Sequence, residues 1–275
     1  LKQLSSLLKI SVSLLFLFLQ LTASGQISAG IGAGAAEAGM GFACVMKPGF
    51  WSSFKNQALL AVNNGLRAGF GYENRFGIKE LGTRTIGIQI PAGKATASAA
   101  WSRFGYPEFR RDVAGLGCGL NLSEKIAAGV QVDYCSERTS GEYNNEQYLT
   151  CEAGLAVFPS HDITIGVHLF NPLPDKFRKK SRPTILSAGA GIELGSSLFA
   201  GMEVLMITGY IPEFRTGFEY EAVKSLWLRA GYGTVHNSFC FGAGYQYGMV
   251  KLDIGFATHD RLGVTSTASL TFKIH

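Results

Sequence analysis

Residues 125–138, KIAAGVQVDYCSER, change character at every second position. Ile126, Ala128, Val130, Val132 and Tyr134 fall on one side of an extended chain, and Gly129, Gln131 and Asp133 on the other. Because successive side chains of a strand point to opposite faces, this period of two marks a strand with one apolar and one polar face. A polar break follows. The pattern then returns in Glu146 to Phe158, where Leu149, Cys151, Ala153, Leu155 and Val157 oppose Thr150, Glu152 and Gly154. Two such runs joined by a polar loop predict an antiparallel hairpin.

Working outward, the same alternation occupies Leu66 to Phe76, Thr83 to Ile90, Lys94 to Phe104 and Val113 to Leu122 upstream, and Ile163 to Leu169 downstream. Past the Pro- and Lys-rich stretch Asn171 to Pro183 it runs through Thr184 to Leu194, Ser197 to Thr208, Pro212 to Glu221, Ser225 to Thr234, Ser238 to Tyr247, Met249 to Thr258 and Val264 to Ile274. About fourteen segments of ~10 residues predict an all-β fold, a transmembrane antiparallel β-barrel of about 14 strands.

With both chain ends on the periplasmic side, the even-numbered connections, such as Pro91 to Lys94 and Gly248 to Met249, are all tight turns. The two longest connections, around Gly141 and Lys179, are odd-numbered and face outside the cell. Short periplasmic turns with longer external loops are the usual asymmetry of such barrels. A soluble β-sandwich is the structural rival, since alternation alone does not say whether the apolar face meets lipid or a second sheet.

The chain of 275 residues carries 35 glycines, 47% hydrophobic residues and 16% charged residues, consistent with one β-rich domain. Its formal charge of +5 includes Lys2 and Lys9 of the leader and argues against a nucleic-acid partner. Residues 1–25 are expected to be a cleaved signal peptide: two lysines, an apolar run from Ile10 to Leu21, and the small residues Ala23-Ser24-Gly25. Residues 26–64 are assigned to a luminal plug and 65–275 to the barrel. The protein is expected in a Gram-negative outer membrane, exported through the general secretory route. The five cysteines have no metal-like spacing, and alternation puts Cys135 inward and Cys151 outward, so no bridge between them is expected.

The plug reading rests on Gly30 to Ala61, GIGAGAAEAGMGFACVMKPGFWSSFKNQALLA. Its first half is almost all small residues, which permit close backbone approach. The inward face of the barrel is also rich in Gly, a residue that weakens a strand unless bending or a close neighbour requires it. Gly34, Glu37, Gly39, Met40, Gly41, Trp51 and Asn56 are the candidate plug residues. Charges of both signs point inward, among them Arg67, Glu203, Arg215, Glu219 and Arg229, either pairing with one another in a solvated lumen or lining a path. Glu37 is expected to pair with Arg67, Arg215 or Arg229, and His168 to be a solvated luminal residue. Arg103 breaks the pattern by falling in the outward phase near the external rim, which contact with lipid phosphate or a local bulge would explain.

Gly34-Ala35-Ala36 through Gly39-Met40-Gly41, the element Trp51 to Ala61, Tyr72-Glu73-Asn74-Arg75-Phe76 and Gly105-Tyr106 resemble motifs of the FadL-like outer-membrane barrels, above all their shorter PorV/PorQ-like relatives. The resemblance implies fourteen strands and an N-terminal luminal plug. This chain departs from it at Asn56-Gln57-Ala58-Leu59, where the family has Asn-Pro-Ala-Gly. Two functions follow from it. The main expectation is a shuttle, scaffold or accessory subunit of a protein-secretion or outer-membrane assembly machine, with outer-membrane or periplasmic proteins as partners. The alternative is an uptake channel for small hydrophobic molecules. Outer-membrane lipid is a partner in either case. Enzymatic activity is not expected: His161-Asp162 and His259-Asp260 are the only adjacent His-acid pairs, no Gly-x-Ser-x-Gly elbow occurs, and no cofactor or metal is implied.

Overall fold

The computed structural model describes residues 32, 34–63, 65–140, 145–172 and 182–274. The expected signal peptide lies outside them. Fourteen strands follow one another: β1 (Leu66–Asn74), β2 (Gly82–Ala92), β3 (Ala95–Tyr106), β4 (Phe109–Ser123), β5 (Ile126–Thr139), β6 (Glu146–Val157), β7 (Ile163–Phe170), β8 (Ile185–Leu194), β9 (Leu198–Ile207), β10 (Glu213–Val223), β11 (Leu226–Gly233), β12 (Ser238–Tyr247), β13 (Val250–His259) and β14 (Gly263–Ile274). Each pairs antiparallel with its neighbours in sequence, and β1 pairs with β14, Phe70 opposite Leu270, so the sheet closes into a barrel with no free edge.

Which face is wet decides between barrel and sandwich. Outward residues are large and apolar yet exposed: Leu116 at 71%, Met202 at 66% and Leu149 at 63%. Inward residues are polar yet buried, among them Gln89, Gln131, Asp133 and Glu152. A sandwich would bury the apolar faces; this inside-out arrangement is stable only with lipid around it.

The even-numbered connections are turns of two to five residues. Gly93 and Gly248 supply the left-handed conformations that two of them require, at φ 65° and 58°. The three longest connections, β1–β2, β5–β6 and β7–β8, are all odd-numbered, while the other four odd-numbered ones are as short as the turns of the even end. The odd end is therefore the external one. β1 stops at Asn74, short of the expected Phe76, because Phe76 turns the chain at φ 58°. The β3–β4 ladder runs unbroken through Arg103, which excludes a bulge there.

Inside the barrel lies the N-terminal segment: a short helix, α1 (Ala35–Gly39), a 3-10 turn at Ser52–Phe54 and a six-residue 3-10 helix at Gln57–Val62, the latter capped by the Asn56 side chain accepting from the Ala58 N–H at 3.1 Å. The apolar core sits between this segment and the wall. Phe50 packs edge-on against both Trp51 and Phe54, and the three rings lie on Ala100, Val113 and Cys135. Met40, Val45 and Met46 form a second cluster with Phe199, and Ala58, Leu59 and Ala61 a third with Ala127 and Ala156.

The wall glycines answer to this packing. A methyl group on Gly129 would lie 2.3 Å from the Gln57 carbonyl carbon, and one on Gly231 2.3 Å from that of Met40. Both contacts are with backbone, so any side chain there would force the segment off the wall. Cys135 is buried against the luminal cluster while Cys151 faces outward, the opposite-face placement the alternation predicts.

Candidate functional site

The luminal segment is held by side chains projecting from the wall into its backbone. One oxygen of Glu203, buried on β9, accepts the N–H groups of both Cys44 and Val45 at 2.9 Å. Asn56 donates to the Val45 carbonyl at 2.6 Å and to Leu155 of β6 at 3.2 Å. Gln89 of β2 donates to the Phe50 carbonyl at 2.8 Å, and Asn121 of β4 donates to that of Ala61 at 2.9 Å. The Ala35 N–H donates to the Ser269 hydroxyl at 3.1 Å. Lys47 is an ionic anchor of the segment, 3.1 Å from Glu219 and 3.8 Å from Glu193, with its ammonium over the Phe199 ring.

The expected luminal charges all face inward. Arg229 lies 2.6 Å from Glu219 and 2.8 Å from Asp253, and Arg215 lies 2.8 Å from Glu213 and 3.8 Å from Glu203. Arg67 donates to the Asn63 side chain at 3.3 Å. Mutual pairing is therefore the larger part of their role, and among the described residues Glu37 forms no ion pair with any of the three arginines. That carboxylate is buried, with one oxygen lacking any hydrogen-bond partner, and α1 directs it toward Gly34 and Gly49 within the segment. His168 also differs from expectation. It is buried, 3.0 Å from Glu152, which in turn accepts from Gln57.

Of the other candidate plug residues, Gly34 abuts the Trp51 ring, Gly39 meets the backbone of Gly242, and Gly41 takes φ 65° beside the Tyr232 N–H. Met40 seats on Gly217 and Gly231. The sequence marks these residues by size alone. Glu203 carries no signal distinguishing it from other inward acids, because its partners are backbone groups about 160 positions away.

Gln57–Val62 packs on β3 to β6 beside their even-numbered turns, at the periplasmic end of the lumen, while Met40 and Gly41 reach Gly231 and Tyr232 near the outer end of β11. Above the segment, toward the external rim, a cavity of ≈ 250 Å³ remains. Its floor is built from Phe42, Cys44, Val45, Phe54 and Lys55 of the segment. Phe170, Ile185, Leu205 and Ile207 make an apolar wall, and Glu73, Arg75, Glu213, Arg215, His236 and His259 stand around the mouth. His236 and His259 stack with ring centroids 4.1 Å apart, and His259 lies 2.9 Å from Asp260. The cavity thus has one apolar wall and an otherwise mixed lining that includes Lys55, Glu152, His168 and Glu203, and its volume lies below the ~300 to 1,000 Å³ typical of drug-sized ligands.

A closed fourteen-stranded transmembrane barrel whose lumen is crossed by its own N-terminal segment defines the class of protein. Among solved structures, the Ralstonia pickettii toluene transporter TbuX superposes with a TM-score of 0.70 at 11% identity, covering 90% of this chain and 100% of that one. A Pseudomonas aeruginosa FadL homologue gives 0.65 at 12%, covering 90% and 100%, and the P. putida toluene transporter TodX 0.65 at 10%, covering 89% and 99%. No protein-family model matches the chain, and no curated protein matches it by sequence. The fold is that of the FadL-like barrels.

Proposed function

We propose that this protein is an outer-membrane channel for the uptake of small hydrophobic molecules, with residues 26–64 as its plug. The observation that carries the reading is the cavity at the external end of the lumen, apolar along one wall and floored by the plug itself. A ligand entering from outside rests on Phe42, Val45 and Phe54, and proceeds only when the plug shifts. The likeness to barrels described as toluene transporters supports the same reading. The accessory-subunit expectation leaned on short loops and a filled lumen, and the cavity left at the external end favours the channel over it. Superposition on transporters and channels likewise supports a non-enzymatic role.

The test is uptake of radiolabelled toluene by cells expressing the protein, with outer-membrane location checked by density fractionation. Filling the cavity with Leu205→Trp and Ile207→Trp is expected to lower uptake at least tenfold while the folded barrel retains its heat-modifiable gel shift. Uptake unchanged by filling, together with stoichiometric co-purification of other proteins in mild detergent, would reverse the assignment in favour of the accessory subunit.

A further inference from the structure

On the lipid-facing side of β2 to β5, near the external rim, four arginines and one aspartate stand in two adjoining rows. Arg84, Arg103, Asp112 and Ser136 are successive cross-strand partners, and one row further out Arg110 sits opposite Arg138. All five charged residues share the outward phase of Ile86, Trp101, Ala114 and Tyr134. Asp112 bridges two of the arginines, 2.7 Å from Arg103 and 3.0 Å from Arg110. Among the described residues neither Arg84 nor Arg138 is in an ion pair, and both are exposed.

The arrangement is locally unfavourable as it stands. Arg84 faces Arg103 and Arg110 faces Arg138 directly across the ladder, and like charges so placed destabilise a sheet. One carboxylate against four guanidiniums leaves a surplus of positive charge on a surface that is otherwise apolar. The equivalent outward positions on the far wall are Phe214, Tyr232 and Phe239.

Height along the barrel identifies what meets the patch. At ~3.3 Å per residue and ~40° of tilt, the climb from Ala95 to Arg103 is roughly 20 Å and that from Ile126 to Arg138 roughly 30 Å. The rows therefore straddle the upper edge of the ~25 Å apolar band. Trp101, whose ring lies 4.7 Å from the Arg103 guanidinium, and Tyr134 stand directly beneath, where an interfacial aromatic belt is expected. This is the level of the lipid headgroups on the external leaflet, and planar guanidinium forks are suited to bidentate phosphate binding.

We infer that Arg84, Arg103, Arg110 and Arg138 form a binding site for the phosphate groups of lipid A, the phosphorylated glycolipid of the outer leaflet. The inference rests on the outer-membrane placement but not on the channel activity. It is tested by the unfolding midpoint of the purified barrel, read from the heat-modifiable gel shift, with added bisphosphorylated lipid A, dephosphorylated lipid A or phosphatidylglycerol. Bisphosphorylated lipid A is expected to raise the midpoint by several degrees and the other two to do so weakly. Arg84→Ser with Arg138→Ser, which breaks no ion pair, is expected to abolish most of the rise, and native mass spectrometry is expected to show bound lipid A lost from the same variant. An equal rise with dephosphorylated lipid A or with phosphatidylglycerol, or an unchanged rise and unchanged lipid A occupancy in the double variant, would overturn the site.

Discussion

Glu203 illustrates how a single side chain can hold a coiled segment through that segment's backbone. Its carboxylate accepts two backbone N–H groups of the luminal segment, and hydrogen bonds to a charged group contribute about 1.5–3 kcal/mol each. Glu203→Ala is expected to raise leak conductance in a planar bilayer and to lower the unfolding midpoint, whereas Glu203→Gln keeps an acceptor and is expected to do both less. Gly129 tests packing in place of polarity. Gly129→Val places atoms against the Gln57 backbone and is expected to cost ~1 to 3 kcal/mol, read as a lowered midpoint in the same gel assay. Glu37 reverses the usual expectation for a buried charge. Because no arginine pairs with it, Glu37→Gln is expected to be tolerated, with the midpoint unchanged or raised. Glu37→Arg, too large for the space beside Gly34 and Gly49, is expected to increase leak.

At the scale of elements, the strands and the luminal segment depend on each other unequally. Every strand completes its backbone hydrogen bonds with its two neighbours, so the barrel does not need the segment to close. The segment, with only short helical turns of its own, relies on the wall for its bonds and its apolar contacts. Deleting residues 34–47 is therefore expected to leave a barrel that still shows heat modifiability, at a lower midpoint because the cluster around Met40, Val45 and Met46 is lost, and with a markedly raised single-channel conductance. Failure of the deleted protein to form any barrel would show that the segment is a folding core and not a plug.

At the scale of the molecule, the two ends differ. One is closed by tight turns and by the packed segment; the other carries the longer connections, the cavity mouth and the arginine rows. This polarity is open to a labelling experiment in intact cells. A cysteine placed at Arg261, between β13 and β14, is expected to react with a membrane-impermeant maleimide, and one at Glu124, between β4 and β5, is expected to be protected. The native Cys118 faces lipid and Cys135 the packed lumen, so neither is expected to contribute background.

Much of this architecture is legible in the amino-acid sequence, because side chains of a strand must alternate and because lipid tolerates apolar side chains but not charged ones. Alternation alone sets the strand number, the inward phase of Arg67, Glu203, Arg215, Glu219 and Arg229, and the parity of the turns. The surplus of inward glycines likewise announces that something packs against the wall. Only the tertiary structure decides what that something touches: the reach of Glu203 to Cys44 and Val45, the burial of His168 on Glu152, the turning of Glu37 toward Gly34 and Gly49, the cavity left above the plug, and the assembly of four outward arginines. The physical reason is that period two specifies direction at each residue but not height or neighbour across the lumen. Those are set by strand register and by how a Gly- and Ala-rich segment coils inside the closed wall.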